Sequence, residues 1–132
     1  MSSKPLFVLV CSESHEKIQM AAMTASVAAV LERPVHVLIS MGAVYAFQKD
    51  LPVDQRYSGG RFSQVMKEKN APDAVELFGQ GKVLGDMTMH ACSMALDILG
   101  WEESELDQDL FDGAMGLTQF LSDAEEGQFI TF

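Results

Sequence analysis

The sequence predicts an α/β protein, a single-domain Rossmann-like open sheet of about five mostly parallel strands with helices on both faces. Short apolar runs rich in β-branched residues alternate with stretches of helical spacing, the order expected of successive β-α-β units. The length of 132 residues suits one domain, and an apolar content of 48% can form an ordinary core without disulfides or a metal. We therefore expect residues 1–132 to form one domain.

The first third of the chain predicts two strands joined by a long helix. The run PLFVLVCS, residues 5–12, is apolar throughout, as in a strand buried on both faces. An Ala-rich segment with helical spacing follows over residues 12–32, with two serines that can cap its start and Arg33-Pro34 at its end. The run VHVLISM, residues 35–41, predicts a second buried strand that Gly42 closes.

The middle of the chain is harder to interpret. Residues 43–72 predict a variable, loop-rich segment, because Pro52 and the pair Gly59-Gly60 interrupt any periodicity. A loop of this length in a small domain is often functional. Residues 72–80 then predict a helix that stops at Gly79 or Gly81.

The last third predicts the remaining strands and helices. Residues 86–91 have strand character and pass into a helix that begins near Ser93 and ends at Gly100. A charged turn with a short strand follows, and residues 114–126 predict another helix. The final run, GQFITF, predicts an edge strand.

The charge of the chain is divided unevenly. Residues 1–82 hold all nine Lys and Arg and eight acids, whereas residues 83–132 hold eleven acids and no Lys or Arg. The formal net charge of −10 repels phosphate backbones, so we expect no nucleic-acid partner. The first apolar run is too short to span a bilayer, and two widely spaced cysteines do not form a disulfide framework. These features favour a cytoplasmic protein with no membrane partner.

Cys92 is the strongest candidate site residue, because it lies where a predicted strand passes into the first turn of a helix. Backbone N–H groups are unpaired there, and the helix dipole is positive. Such an environment stabilises a thiolate, which can attack sulfur or carbon or carry a bound sulfur atom. The alternative is a packing residue, since free cysteine is among the most buried residue types.

Four further residues are auxiliary candidates at the same edge of the sheet, where open α/β sheets bind ligands. Cys11 ends the first strand and can act as a resolving thiol, although an inert buried cysteine is the simpler interpretation. His90 shares a strand face with Cys92 and can tune the thiol or move a proton. His15 opens the first helix and can approach the same edge. Ser93 follows the candidate thiol directly. A structural role is the simpler interpretation of each histidine, His36 included.

Two other patterns predict sites only weakly. Met41, Met87, Met89 and Met94 lie near the expected edge in sequence, and thioethers with Cys and His suit Cu(I). Adaptable packing explains the nine methionines more simply, so we expect neither a metal nor an organic cofactor. Arg56 and Arg61 flank the paired glycines and can form an anion-binding loop, an arrangement that is common in ordinary turns. The acids from 102 to 112 fit a solvated turn rather than a catalytic set.

Two stretches of the chain carry patterns specific enough to compare with a known protein family. Residues 5–44, PLFVLVCSESHEKIQMAAMTASVAAVLERPVHVLISMGAV, hold a strand, an Ala-rich helix and a second strand. Residues 89–121, MHACSMALDILGWEESELDQDLFDGAMGLTQFL, hold a Cys followed by Met, an apolar helix that ends in Gly, an acidic stretch and a Gly-containing helix. Both resemble the DsrE/DsrF-like sulfur-relay family, which includes DsrE- and TusD-type proteins. The second stretch is the more specific, and residues 43–72 do not match a pattern that we can name.

The resemblance implies a Rossmann-like fold and a homo-oligomer, whether trimer, tetramer or hexamer. It also implies that Cys92, at the position of the family's cysteine, receives sulfane sulfur as a persulfide and relays it to or from a protein such as a TusA-type carrier. No metal or cofactor is needed for this role. Whether the chain turns over as a sulfurtransferase or only carries sulfur stays open at this point.

Two other functions also stay open. One is a non-catalytic assembly or regulatory subunit of the same fold, in which Cys92 is a packing residue and the acidic half binds a partner. The other is a small-ligand or metal-binding domain that uses the segment 43–72 and the Met cluster.

Overall fold

Five strands form one sheet in the computed structural model, which describes residues 4–132. The strands are β1 (Leu6–Val10), β2 (Val35–Ile39), β3 (Met87–Cys92), β4 (Ala114–Met115) and β5 (Gln128–Thr131). Their spatial order is β4-β3-β2-β1-β5, and all four neighbouring pairs are parallel. The predicted open parallel sheet is confirmed, with β5 at one edge and the short β4 at the other.

Five α-helices and three short 3-10 helices connect the strands. The α-helices are α1 (His15–Val30), α2 (Arg61–Glu68), α3 (Ala74–Leu84), α4 (Ser93–Leu99) and α5 (Leu117–Ala124). The 3-10 helices are Met41–Phe47, Val53–Gln55 and Glu103–Glu105. No helix among residues 4–132 combines the length and the apolar character needed to cross a membrane.

Helices cover both faces of the sheet. The strand register aligns Leu6 with Val35 and Val35 with Met87, so these three side chains lie on one face of the sheet. α3 packs on that face, where Gly81 lies against the Met87 side chain. The next residue of each strand points to the opposite face. There the Phe7 ring meets Phe120 of α5, with 5.6 Å between the ring centroids.

Small residues let α1 approach its neighbours closely. The face of α1 that meets the sheet and α3 is buried and consists largely of alanine: Ala21, Ala22, Ala25, Ala28 and Ala29. α1 and α3 are the most extensively paired helices of the fold. Gly85, just after α3, lies so close to Ala29 that a β-carbon there would overlap the Ala29 carbonyl group. This contact fixes the entry into β3 and therefore the position of its last residue, Cys92.

The segment between α4 and β4 is held at the sheet edge by Asp112. Burial disfavours the charged carboxylate, but hydrogen bonds from the Met89 N–H (2.8 Å) and Lys82 Nζ (2.9 Å) outweigh it and lower the pKa of Asp112. Lys82 Nζ also donates to the Leu110 carbonyl oxygen at 2.6 Å. These bonds join α3, β3 and the acidic segment into one unit.

Three boundaries differ from the sequence predictions. α3 does not stop at Gly79 or Gly81 but continues to Leu84, because Gly81 faces Met87, where a β-carbon would overlap the Met87 side chain. Within the segment 43–72, the helix α2 and the 3-10 helix Val53–Gln55 occupy residues predicted as loop, whereas a helical turn is expected where the 3-10 helix Met41–Phe47 lies. The short strand predicted in the charged turn after Gly100 forms later, as β4 against β3, and this shortens the predicted helix over residues 114–126 to α5.

Candidate functional site

The carboxyl ends of β1, β2 and β3 meet at one edge of the sheet. The register pairs Val10 with Ile39 and Ile39 with Ala91, so the next residues, Cys11, Ser40 and Cys92, form a row across three strands. Residues at one level of a parallel sheet share a face. Both thiols therefore lie on the α5 side of the sheet, with the buried Ser40 between them.

Cys92 lies at the predicted strand-to-helix junction. It is the last residue of β3 and the N-cap of α4, with extended backbone angles of φ −65° and ψ 122°. Its side chain makes no capping hydrogen bond, so the thiol is not committed to the helix end. The residue is only 4% exposed. The junction thus holds a buried thiol that makes no capping hydrogen bond.

Cys11 is the more accessible of the two thiols. It is partly exposed, and its backbone N–H donates to the Phe132 carbonyl oxygen at 2.8 Å. Burial, and secondarily the Coulombic interaction with Cys92, raise the pKa of the Cys11 thiol. Both cysteines are free. β2 lies between them, and two strand spacings of about 4.8 Å exceed the roughly 7 Å Cα separation of a disulfide.

His90 lies on the same sheet face as Cys92, two residues earlier in β3. It lines a groove of about 410 Å³ between the sheet and α5, together with His36, Thr88 and Asp123. His36 Nδ1 hydrogen-bonds Thr88 Oγ1 at 2.8 Å, and its ring stacks on Phe7. Burial lowers the pKa of His36 despite the nearby Asp86 and Asp123 carboxylates. The groove therefore presents the His36 imidazole, the Thr88 hydroxyl and the Asp123 carboxylate on the sheet face that also carries the thiol row.

His15 is engaged elsewhere. Its Nδ1 lies 2.6 Å from the Ser63 hydroxyl of α2, and its ring stacks on Tyr57 at 4.3 Å with an interplanar angle of 2°. Burial and the charge of Lys67 lower the pKa of His15. The described contacts of His15 thus join α1 to the segment 57–63 rather than to either thiol.

A second polar cluster surrounds His15. The Tyr57 hydroxyl donates to the Asp73 carboxylate, which also caps α3 by accepting from the Glu76 N–H at 3.3 Å. Burial, followed by the bond to Asp73, raises the pKa of Tyr57. A cavity of about 370 Å³ opens beside this cluster. Neither Tyr57 nor Asp73 is among the residues predicted from the sequence, because no motif marks residues that meet only in the folded chain.

The predicted methionine group does not converge on the thiols. Met87 and Met89 alternate with Cys92 along β3 and face the opposite side of the sheet, where both are buried. Met41 and Met94 are exposed. Within residues 4–132, no three His, Cys, Asp or Glu side chains come together as a metal site would require.

The two arginines predicted to form an anion-binding loop show no such arrangement in the described residues. Arg56 Nη1 donates to the Ala46 carbonyl oxygen at 3.3 Å. Arg61 begins α2 and is exposed.

An apolar patch with an acidic border surrounds α4. The exposed side chains of Met41, Tyr45, Met94 and Ile98 make up what we term the α4 patch. A groove of about 200 Å³ runs between the 3-10 helix Met41–Phe47 and α4. A neighbouring groove of about 420 Å³ is lined by Ser93, Trp101 and three acids, Asp97, Glu102 and Glu103. The surface next to the candidate thiol is thus apolar at its centre and negative at its border.

Solved structures share this architecture at low sequence identity. A protein of unknown function from Methanobacterium thermoautotrophicum, MTH1491, superimposes with a TM-score of 0.66 at 13% identity, over 98% of this chain and 100% of its own. The ychN protein from E. coli gives a TM-score of 0.63 at 13% identity over 100% of both chains. At this identity the two similarities establish the fold alone. A search of curated protein sequences found no match.

A sequence-family model identifies the group to which the chain is related. The model of the DsrE/DsrF/DrsH-like family matches residues 54–132. The match includes β3 with Cys92, the helix α4 and the two strands that follow it, β4 and β5. The family is generally linked to sulfur relay, and its members often form oligomers. The chain belongs to the DsrE/DsrF/DrsH-like family.

Proposed function

We propose that this protein is a sulfur carrier in which Cys92 holds sulfane sulfur as a persulfide and relays it between proteins. The observation that carries the proposal is the unengaged Cys92 side chain at the β3–α4 junction, inside the segment that matches the family. Parallel α/β sheets bind their ligands at this edge. Free cysteines persist in a reducing compartment, which favours the cytoplasm as the site of action.

The transfer needs no metal and no net oxidation. The Cys92 thiolate attacks the outer sulfur of a donor persulfide, R–S–SH, so a new S–S bond forms as the donor S–S bond breaks. The donor leaves as the thiolate RS⁻ with the electron pair of the broken bond. Release to an acceptor thiolate is the same exchange with Cys92 as the leaving thiolate. The protein therefore acts as a carrier or sulfurtransferase without a resident cofactor.

We infer that access to Cys92 requires movement of α4, the helix that begins directly after it. The thiol is 4% exposed, whereas only Ala95 and Leu96 of the seven α4 residues are buried. Few buried apolar contacts mean a low free energy of local opening. We infer that a transient displacement of α4 admits the donor, and that closure afterwards shields the persulfide from water and small thiols.

The neighbouring side chains take auxiliary roles. The raised pKa of Cys11 keeps its thiol protonated at neutral pH, so Cys11 is a poor first acceptor and we assign it a supporting role. His90 shares the sheet face with Cys92 and can take up the thiol proton. Ser93 lines the groove beside the thiol. We leave His15 out of this set because its ring is held by Ser63.

The α4 patch is the docking surface that we assign to the donor or acceptor protein. Its exposed apolar side chains surround the helix that must move, and three acids border the adjacent groove. The border favours a partner with Lys and Arg around an apolar contact, which is a requirement that a small carrier of the TusA type can meet. Rim charges act mainly on the rate of association, so this transfer should slow as salt rises.

Intact-protein mass spectrometry after incubation with polysulfide tests the proposal. Wild type and the Cys11→Ser variant should gain sulfur mass that a reductant removes, whereas the Cys92→Ser variant should not. Both substitutions exchange a thiol for a hydroxyl, so each serves as the matched control of the other. Equal gain in the Cys92→Ser variant contradicts the carrier role.

A second candidate function is an assembly or regulatory subunit, favoured by the burial of Cys92 and the many exposed apolar side chains. In that case Cys92 packs and never reacts in the folded protein. Thiol labelling separates the two functions. A Cys92 that reacts only in proportion to global unfolding supports the assembly subunit, and a Cys92 that reacts through local opening supports the carrier.

A further inference from the structure

The cavity of about 370 Å³ beside His15 is formed by three separate parts of the chain. His15 opens α1, whereas Val53, Asp54 and Tyr57 lie in and just after the second 3-10 helix. The other lining residues lie between positions 66 and 73, from the end of α2 to the start of α3. Among residues 4–132, the lining includes no member of the thiol row or of the α4 patch. The volume lies near the lower end for small-molecule sites, so the cavity suits a ligand smaller than a typical drug.

His15 contributes one unused polar atom to this cavity. The residue is only 6% exposed, and its ring is held between the Ser63 hydroxyl at Nδ1 and the stacked Tyr57 ring. Within residues 4–132, the Ser63 hydroxyl has no other hydrogen-bond partner, so it donates to Nδ1 and the proton of the neutral imidazole lies on Nε2. No described residue accepts a hydrogen bond from Nε2. His15 therefore offers a bound molecule one fixed N–H donor.

Lys67 supplies a positive charge at the His15 end of the cavity. Of the charged groups near the His15 ring, Lys67 acts on it most strongly, and the carboxylate of Asp73 opposes Lys67 less strongly. That carboxylate already accepts two hydrogen bonds and lies at the start of α3, where the helix dipole offsets its charge. No salt bridge within residues 4–132 involves Lys67. The ammonium group and the Nε2 donor together favour an anionic group of a ligand at this end.

The remainder of the lining restricts what the anionic group can be attached to. Val53, Met66 and Pro72 give the cavity a largely apolar wall, which favours a hydrocarbon body. Asp54 and Asp73 are the acids of the lining, and their charges disfavour a second anionic group on the same ligand. The lining therefore favours a ligand with one negative charge and a short apolar chain.

We propose that this cavity binds a small aliphatic monocarboxylate, whose carboxylate accepts hydrogen bonds from His15 Nε2 and Lys67 Nζ and whose hydrocarbon chain lies against Met66 and Pro72. Pentanoate represents the class, with one carboxylate and a four-carbon chain. A ligand of this size should bind with a dissociation constant on the order of 0.1–1 mM. The inference is independent of the sulfur-carrier proposal, because Cys92 does not line the cavity.

Titration with pentanoate, followed by NMR of protein labelled at the methionine methyl carbons, tests the proposal. The Met66 signal, identified by its loss in Met66→Leu, should shift and saturate, whereas the signals of Met41 and Met94 in the α4 patch should stay in place. Acetate lacks three of the buried methylene groups and should bind at least ~10-fold more weakly. Glutarate has the same number of carbons but a second carboxylate, and should bind at least ~5-fold more weakly than pentanoate.

Two exposed lining residues provide variants that should fold normally, with an unchanged urea midpoint. Lys67→Gln should weaken pentanoate binding about 5-fold, whereas Lys69→Gln, the same change outside the lining, should stay within about 2-fold of wild type. Ala71→Leu fills part of the cavity and should weaken binding at least ~10-fold.

Four results would each overturn the monocarboxylate site. They are a Met66 signal that does not move up to about 20 mM pentanoate, far above the expected dissociation constant, acetate bound as tightly as pentanoate, undiminished binding in Ala71→Leu, and equal losses in Lys67→Gln and Lys69→Gln. Sulfur loading of Cys92 is measured separately and does not bear on this result.

Discussion

Removal of the Leu96 side chain should open the path to Cys92. Leu96 is 5% exposed and is one of only two buried residues in α4. A buried Leu→Ala change costs about 2–5 kcal/mol of stability. Because α4 is buried on one face only, the cost at Leu96 should lie near the lower end of this range, at about 2–3 kcal/mol. If this loss falls on the closed position of α4, the open population rises about 30- to 150-fold. The labelling rate of Cys92 should rise by the same factor.

Ile98→Ala is the matched control. Ile98 lies in the same helix and loses a side chain of similar size, but it is 70% exposed, so the change should cost no more than about 0.5 kcal/mol. The labelling rate of Cys92 in the Ile98→Ala variant should therefore stay within about 2-fold of wild type. Both variants are compared in a Cys11→Ser background, so that only one thiol reacts.

The assay follows reaction with a chromogenic disulfide reagent at several urea concentrations. Local opening exposes little surface, so the accelerated rate should depend only weakly on urea, whereas global unfolding depends on it strongly. Equal rates in Leu96→Ala and Ile98→Ala would refute the gating role of α4. A wild-type rate as fast as that of a fully exposed thiol would refute it as well.

Three further predictions concern the framework around the site. Asp112→Asn should lower the free energy of unfolding by about 1 kcal/mol at pH 7. Because the pKa of Asp112 is lowered in the folded protein, this difference between wild type and variant should persist above about pH 4. Urea titrations at lower pH should show the difference shrink as the wild-type carboxylate becomes protonated. Gly127→Ala should lower the urea midpoint, at a cost of about 1–3 kcal/mol, because the added carbon would overlap the Pro5 carbonyl oxygen; Gly60→Ala, with open space at that position, should stay within about 0.5 kcal/mol of wild type. Burial lowers the pKa of His15, so protonation of His15 is less favourable in the folded state than in the unfolded state. The free energy of unfolding of the wild type should therefore be full above about pH 6.5 and decline below it. In denaturation curves, His15→Gln should make that decline less steep.

The sequence was most informative where local pattern and burial agree. The run that became β1 is continuously apolar, and the run that became β2 is apolar except for His36, because both faces of these central strands are covered. The helical spacing that begins at Ser93 placed the strand-to-helix junction at Cys92, where the structure has it. The apolar end of the chain forms the edge strand β5, as predicted.

Elements that depend on distant contacts were not predictable in this way. α3 continues through Gly81 because Met87, on a neighbouring strand, occupies the space of a side chain there. α2 is short and mostly exposed, so its apolar spacing is sparse. The pairs His15–Ser63 and Tyr57–Asp73 join residues 48 and 16 positions apart, which no local motif marks. The same limit applies to the burial of Cys92, because the local pattern fits both a reactive and a packing cysteine.

The most direct test of the carrier function is peptide-level mass spectrometry of wild-type protein after incubation with polysulfide and alkylation under native conditions. The sulfur added to the protein should lie on the peptide that contains Cys92, with little on the Cys11 peptide. Addition of an acceptor thiol should remove it while the protein stays folded. Sulfur found chiefly on Cys11, or on neither peptide in the folded protein, would contradict the assignment of Cys92 as the sulfur carrier.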